Sequence, residues 1–172
     1  QGANRATSLV STFAITFTII TLLLGIFGIK EMWSIKKVRI DAENNLKLAK
    51  HLSLAFTYMQ AFLYAEAKNE YLKVIEVDSN SEIAHTQLGY IFISLSPPDL
   101  GKAKFHSKKA FELNQNNHTA LLNLGVAMGK SGDNRNDVLL VYLAGEKAAI
   151  INMADDITIG KFKLLAGHCY KD

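Results

Sequence analysis

The residues whose types could do chemistry are few and scattered. The chain of 172 residues has five histidines, one cysteine and 16 carboxylates. A metal needs several of these converging on one point. The one adjacent pair, His168-Cys169, falls in a helical pattern, where neighbouring side chains diverge by about 100° and make a poor chelate. Asp155-Asp156 precedes ITIGKF and reads as a helix N-terminal signal, not as paired acid-base carboxylates. No nucleophile-base arrangement and no phosphate-cradling glycine loop occurs, so no catalytic, cofactor or metal site is expected, and no enzyme. KAKFHSKKAFE, residues 102–112, sets Lys104 and Lys108 four apart, with Lys102, His106 and Lys109 around them. That stripe would suit phosphate or lipid, but a solvated helix face explains it more simply. Asn117-His118-Thr119 matches the glycosylation sequon, a pattern short enough to arise by chance. A net charge of +3 is too small to imply nucleic acid, and a single cysteine rules out an internal disulfide framework.

The elements around these residues are more informative. From Leu9 to Ile29, 21 residues carry no charge. As a helix rising about 1.5 Å per residue they span roughly 30 Å, the thickness of a bilayer's hydrocarbon. A signal peptide would have a shorter apolar centre, roughly 7–15 residues, and a small-residue cleavage site. Residues 1–8 therefore read as a polar tail, 9–29 as a transmembrane helix in contact with lipid, and 30–47 as a juxtamembrane helical linker. Trp33 stands where an interfacial aromatic would, with lysines able to reach headgroups. Lys30, Lys36, Lys37 and Arg39 follow the span and only Arg5 precedes it, which places the remainder on the cytoplasmic side. A periplasmic or extracellular side stays open, since lysines ahead of Gln1 would reverse the count.

Beyond the linker the sequence repeats itself. Three segments align, 48–81, 82–117 and 118–155, each with two helix-length apolar patterns and a turn between them. An apolar-small pair recurs as Leu54-Ala55, Leu88-Gly89 and Leu124-Gly125, followed three residues later by Tyr58, Phe92 and Met128. Small residues recur in the second helices at Ala67, Ala103 and Ala110, and the closing runs read VIEVDSNS and AFELNQNN. These segments resemble the tetratricopeptide repeat (TPR), a 34-residue helix-turn-helix unit. His51, His85 and Leu121 replace the family's frequent Trp, and the two histidines are expected to pack between helices. The closing Pro is Ser79, Gln115 and Met153, and the turn Gly is present only at Gly132. The second repeat has two extra residues at SPPDLG, and the third has four, expected around 134–140. Residues 156–172 form one more helical pattern, a capping helix or the start of a fourth repeat.

The expected fold is all-α: a single transmembrane helix, an α-solenoid of three TPR-like helix pairs, and a terminal helix. The resemblance implies a groove lined by the second, fifth, ninth and twelfth positions of each first helix. Here those are Ala49, Leu52, Phe56 and Met59; Ile83, Thr86, Tyr90 and Ile93; Thr119, Leu122, Val126 and Gly129. Members that grip acidic chaperone tails carry Lys and Asn at the fifth and ninth positions, and this chain does not. The expected partner-binding groove is Leu52, Phe56, Met59, Ile83, Tyr90, Ile93, Leu122 and Val126, suited to an apolar helix, a peptide or a neighbouring subunit. The chain thus reads as a membrane-anchored scaffold, an accessory subunit or assembly factor of a membrane complex. The alternative is a processed pilin-like filament subunit with a TPR head. Those proteins usually carry Glu at mature position five, where this chain has Arg5.

Overall fold

Five of the seven helices begin on a side chain built to start one. Ser81, Asp99, Asn117, Asn134 and Asp155 each accept a hydrogen bond from a backbone N–H two or three residues on. Such caps satisfy amides that a helix leaves unpaired and contribute about 1 kcal/mol each. The computed structural model describes the backbone of residues 2–169 and the side chains of residues 15–169. Within it stand α1 (Gly2–Gln60), α2 (Tyr64–Val77), α3 (Glu82–Ser94), α4 (Leu100–Leu113), α5 (His118–Ser131), α6 (Arg135–Ile151) and α7 (Asp156–Cys169). No strand occurs among the described residues. The all-α expectation holds.

Contacts divide the chain between Leu46 and Lys47 into two units. The first is the N-terminal part of α1. Its apolar side chains from Ile15 to Ile29 are exposed, and it includes a window of mean hydropathy 1.7, long and apolar enough to cross a membrane. The side chains of residues 9–14, the start of the expected span, lie outside those described. Thr21 turns its hydroxyl back onto the carbonyls of Phe17 and Thr18, at 3.0 and 2.9 Å, so the helix satisfies that polar group itself. Further along, Lys36 Nζ lies 5.7 Å from the Trp33 ring centre, and Arg39 pairs with Glu43 one turn on at 2.9 Å.

The second unit is a stack of antiparallel helices. The end of α1 packs on α2, α3 on α4, α5 on α6, and α7 closes against α6. Glycines set the close approaches. A Cβ on Gly89 would strike Ser107, one on Gly125 the Tyr142 ring, and one on Gly145 the Phe162 ring. In the first pair Ala55 is fully buried beside Ala67 and Tyr71. Leu88 is fully buried, whereas Leu54 is 37% exposed, because no helix pair precedes the first within this unit. The histidines in the place of Trp do pack between helices: His51 Nδ1 meets Glu70 Oε2 at 2.6 Å, and His85 Nδ1 meets His106 Nδ1 at 2.9 Å.

The asparagines fix the corners. Glu82 accepts from Asn114 and Asn117, at 3.1 and 2.6 Å, and Asn117 also donates to Thr86 at 2.8 Å. Asn152 donates to the Asn116 carbonyl at 2.6 Å, joining the third corner to the second.

Three details refine the sequence reading. The third repeat's added length appears as a longer α6, 17 residues against 14 for α2 and α4. The added residues were expected around 134–140, which lies at the start of that helix. Phe62 and Met153 share with Gly132 the left-handed backbone, at φ 59°, 51° and 75°. All three end their helices with the same pair of reversed hydrogen bonds, and only glycine does this without a steric penalty. Finally, the basic stripe is not a uniform solvated face. Lys104 reaches across to Asp133 and Ser131, each at 3.0 Å, and His106 is buried.

Candidate docking trough

Aromatic and aliphatic side chains on the first helices line two recesses. In the first, of about 270 Å³, Phe56 and Met59 of α1 stand with Phe62, Tyr71 and the amides of Gln60 and Gln87. In the second, of about 310 Å³, Tyr90 and Ile93 of α3 face Leu122, Asn123 and Val126 of α5, with Lys161, Leu164 and Leu165 of α7. Tyr64 bridges the two. Its ring stands edge-on to Phe62, with centroids 6.4 Å apart, and edge-on to Tyr90 at 5.9 Å. The Tyr64 and Tyr90 hydroxyls approach to 3.4 Å, and that contact, foremost, raises the Tyr64 phenol above its ordinary pKa. Among the described residues lining the two recesses, Lys161 alone carries a charge.

Six of the eight residues expected in the groove line this trough: Phe56, Met59, Tyr90, Ile93, Leu122 and Val126. Leu52 instead packs against the first core cluster. Ile83 is 59% exposed but stands in a separate polar recess beside Glu82, Thr86 and the corner asparagines. Thr86 is buried, its hydroxyl given to the Glu82 carbonyl at 2.9 Å. Gly129 lines a third recess with Val138 and Tyr142.

The sequence reading missed Phe62, Tyr64, Leu164 and Leu165. Phe62 sits in the first turn at the place Gly132 holds in the third, so a turn residue serves as wall. The α7 leucines enter because Phe162, fully buried against Gly145, seats α7 beside the trough.

Tyr71 and Tyr142 are buried, and burial pushes the Tyr142 phenol up to about 12, so both stay neutral. Glu70 is held below the usual carboxylate range, first by Lys73 at 2.6 Å and then by His51. Among the described residues no group of three or more ligating side chains converges on a metal position.

A stack of helix pairs, small residues at each crossing and a trough along the first helices define the tetratricopeptide-repeat fold. No protein-family model and no curated protein matches the chain. Solved structures do. The Arabidopsis OM64 TPR domain superposes with a TM-score of 0.62 at 14% identity, over 74% of this chain and 97% of that one. The TPR2B domain of yeast Sti1, in its pHsp70 complex, gives 0.63 at 14% identity, over 72% and 98%. The first TPR of Spaghetti (RPAP3), bound to the HSP90 peptide SRMEEVD, gives 0.60 at 14% identity, over 73% and 97%. The chain has the TPR fold.

Proposed function

We propose that this chain is a non-catalytic, membrane-anchored TPR scaffold that docks an apolar helix or segment of a membrane-protein complex, as an accessory subunit or assembly factor. The observation that carries the reading is the trough, mostly apolar and with one charged lining residue. Burying such a surface against a matching apolar face stabilises a complex at roughly 25 cal/mol per Å² before the costs of association. The exposed apolar stretch of α1 supports the membrane part. Anchoring confines the scaffold to the bilayer plane and raises its effective concentration toward a membrane partner. Lys30, Lys36, Lys37 and Arg39 after that stretch favour the cytoplasmic side. The solved neighbour that holds SRMEEVD binds a peptide with three carboxylate side chains. A trough whose lining charge is Lys161 alone suits a different partner.

The test is affinity purification of the full chain from gently solubilised membranes, with Phe56→Lys and Tyr90→Lys combined. Phe56 is 60% and Tyr90 41% exposed, so the fold should tolerate the change and circular dichroism should keep its helical signal. Co-purifying partners should disappear. Partners retained by the folded double variant would move the contact off the trough.

A further inference from the structure

Two imidazoles meet at the centre of the middle helix pair. His85 of α3 and His106 of α4 are 3% and 8% exposed, with Nδ1 atoms 2.9 Å apart. The proton positions follow from the other contact. His85 Nε2 lies 3.2 Å from the Ser79 carbonyl, which only accepts, so Nε2 carries the hydrogen. His85 Nδ1 is then a bare acceptor, and His106 Nδ1 must be the donor. One hydrogen bond thus joins α3 to α4 in the neutral pair. His106 is sandwiched as well, stacked 12° from parallel on Phe92 and edge-on to Phe105, with ring centroids 5.5 and 5.0 Å away.

We propose that this histidine pair is an acid-sensitive latch: protonation parts α3 from α4 and loosens the trough wall that carries Tyr90 and Ile93.

A first proton leaves a charged imidazolium–imidazole bond buried between the helices, and a second sets two N–H groups head to head and breaks it. A proton added to His106 places a charge among aromatic rings. The surroundings compensate only in part, through the Ser79 carbonyl and Asp78. The charged groups that act on the pair are Lys102 and Lys109 of α4, both repelling, and Asp78 from the corner before α3. Burial comes first in depressing both rings, and it brings His106 down to about 4. A histidine whose folded pKa lies below its unfolded value stabilises the fold at neutral pH. That contribution fades as pH falls below about 6.5 and is gone below about 4. The consequence for the trough rests on the docking reading, whereas the latch itself does not.

The experiment uses the full chain in detergent micelles. Histidine ring NMR between pH 7.5 and 4 should show both rings neutral well below the ordinary histidine midpoint. Hydrogen exchange, corrected for intrinsic rate, should show α3–α4 amides opening about thirty-fold more often at pH 5 than at pH 7.5, with α6 and α7 lagging. His106→Phe should flatten that dependence. Rings titrating at the ordinary midpoint, or an unchanged acid response in His106→Phe, would overturn the latch, and the ring measurement decides even where the variant fails to fold. An acid-opened α3–α4 pair that still retains the co-purified partner would sustain the latch and place the partner away from the trough.

Discussion

Ser107 stands where the other helix pairs place Tyr71 and Tyr142. Each of the three lies four residues after a buried small or branched side chain: Ala103, Ala67 and Val138. The Ser107 hydroxyl lies against Gly89, where a Cβ would strike it. That hydroxyl is fully buried and has no hydrogen-bond partner among the described residues. An unsatisfied buried hydroxyl costs about 1–3 kcal/mol, so Ser107→Ala should stabilise the protein by about 1 kcal/mol. A higher urea midpoint with an unchanged slope is the expected result, and a lower midpoint would mean that the hydroxyl has found a partner. The helix start at Asp155 and the apolar-small pairs were legible in the sequence, because each follows from a local rule of spacing. The Ser107 position was not, because its meaning depends on a glycine 18 residues away. The left-handed turns at Phe62 and Met153 were equally hidden: nothing in a phenylalanine or a methionine announces a positive φ.

The helices inherit their order from crossings that single atoms decide. Phe162 is the largest fully buried side chain, and it fills the space that Gly145 leaves open. It anchors α7 to α6. Phe162→Ala should therefore cost about 3–5 kcal/mol, visible in thermal melts, and should release α7 first by hydrogen exchange. Gly125→Ala drives a methyl into the Tyr142 ring, and should cost about 1–3 kcal/mol through overpacking. A neutral melt for either would show that the pairs can slide apart at little cost. The sequence predicted the crossing at Gly125 from its Leu-Gly pair but not the one at Gly145. It could not predict that α6 would lengthen in place of its turn, because extra residues of good helical propensity can extend a helix as readily as a loop. The role of α7 as both closing element and trough wall also depended on packing.

At the scale of the whole second unit, the groove was readable as a register of positions but not as a shape. Phe56, Met59, Tyr90, Ile93, Leu122 and Val126 converge. Leu52 and Ile83 occupy matching register positions, but the first lies under the adjoining core and the second beside a polar corner. A surface of this chemistry binds by excluding water, not by pairing charge. Partner retention should change little between about 0.1 and about 1 M salt, because ionic screening acts on charges and hardly on apolar contact. An acidic peptide offered alone should bind more weakly than about 1 mM, measurable by calorimetry. Steep loss of the partner with salt would instead point to the lysines of α4.

The Asn117 side chain holds α5 at its start, with its oxygen 2.7 Å from the Ala120 amide, while its nitrogen serves Glu82 and Thr86. That nitrogen is also the atom to which oligosaccharide would be joined in the Asn-His-Thr triplet. Carbohydrate and architecture thus compete for one amide. A sugar added there would have to unseat the joint between the second and third helix pairs, so in the finished molecule the triplet works as carpentry and is closed to decoration.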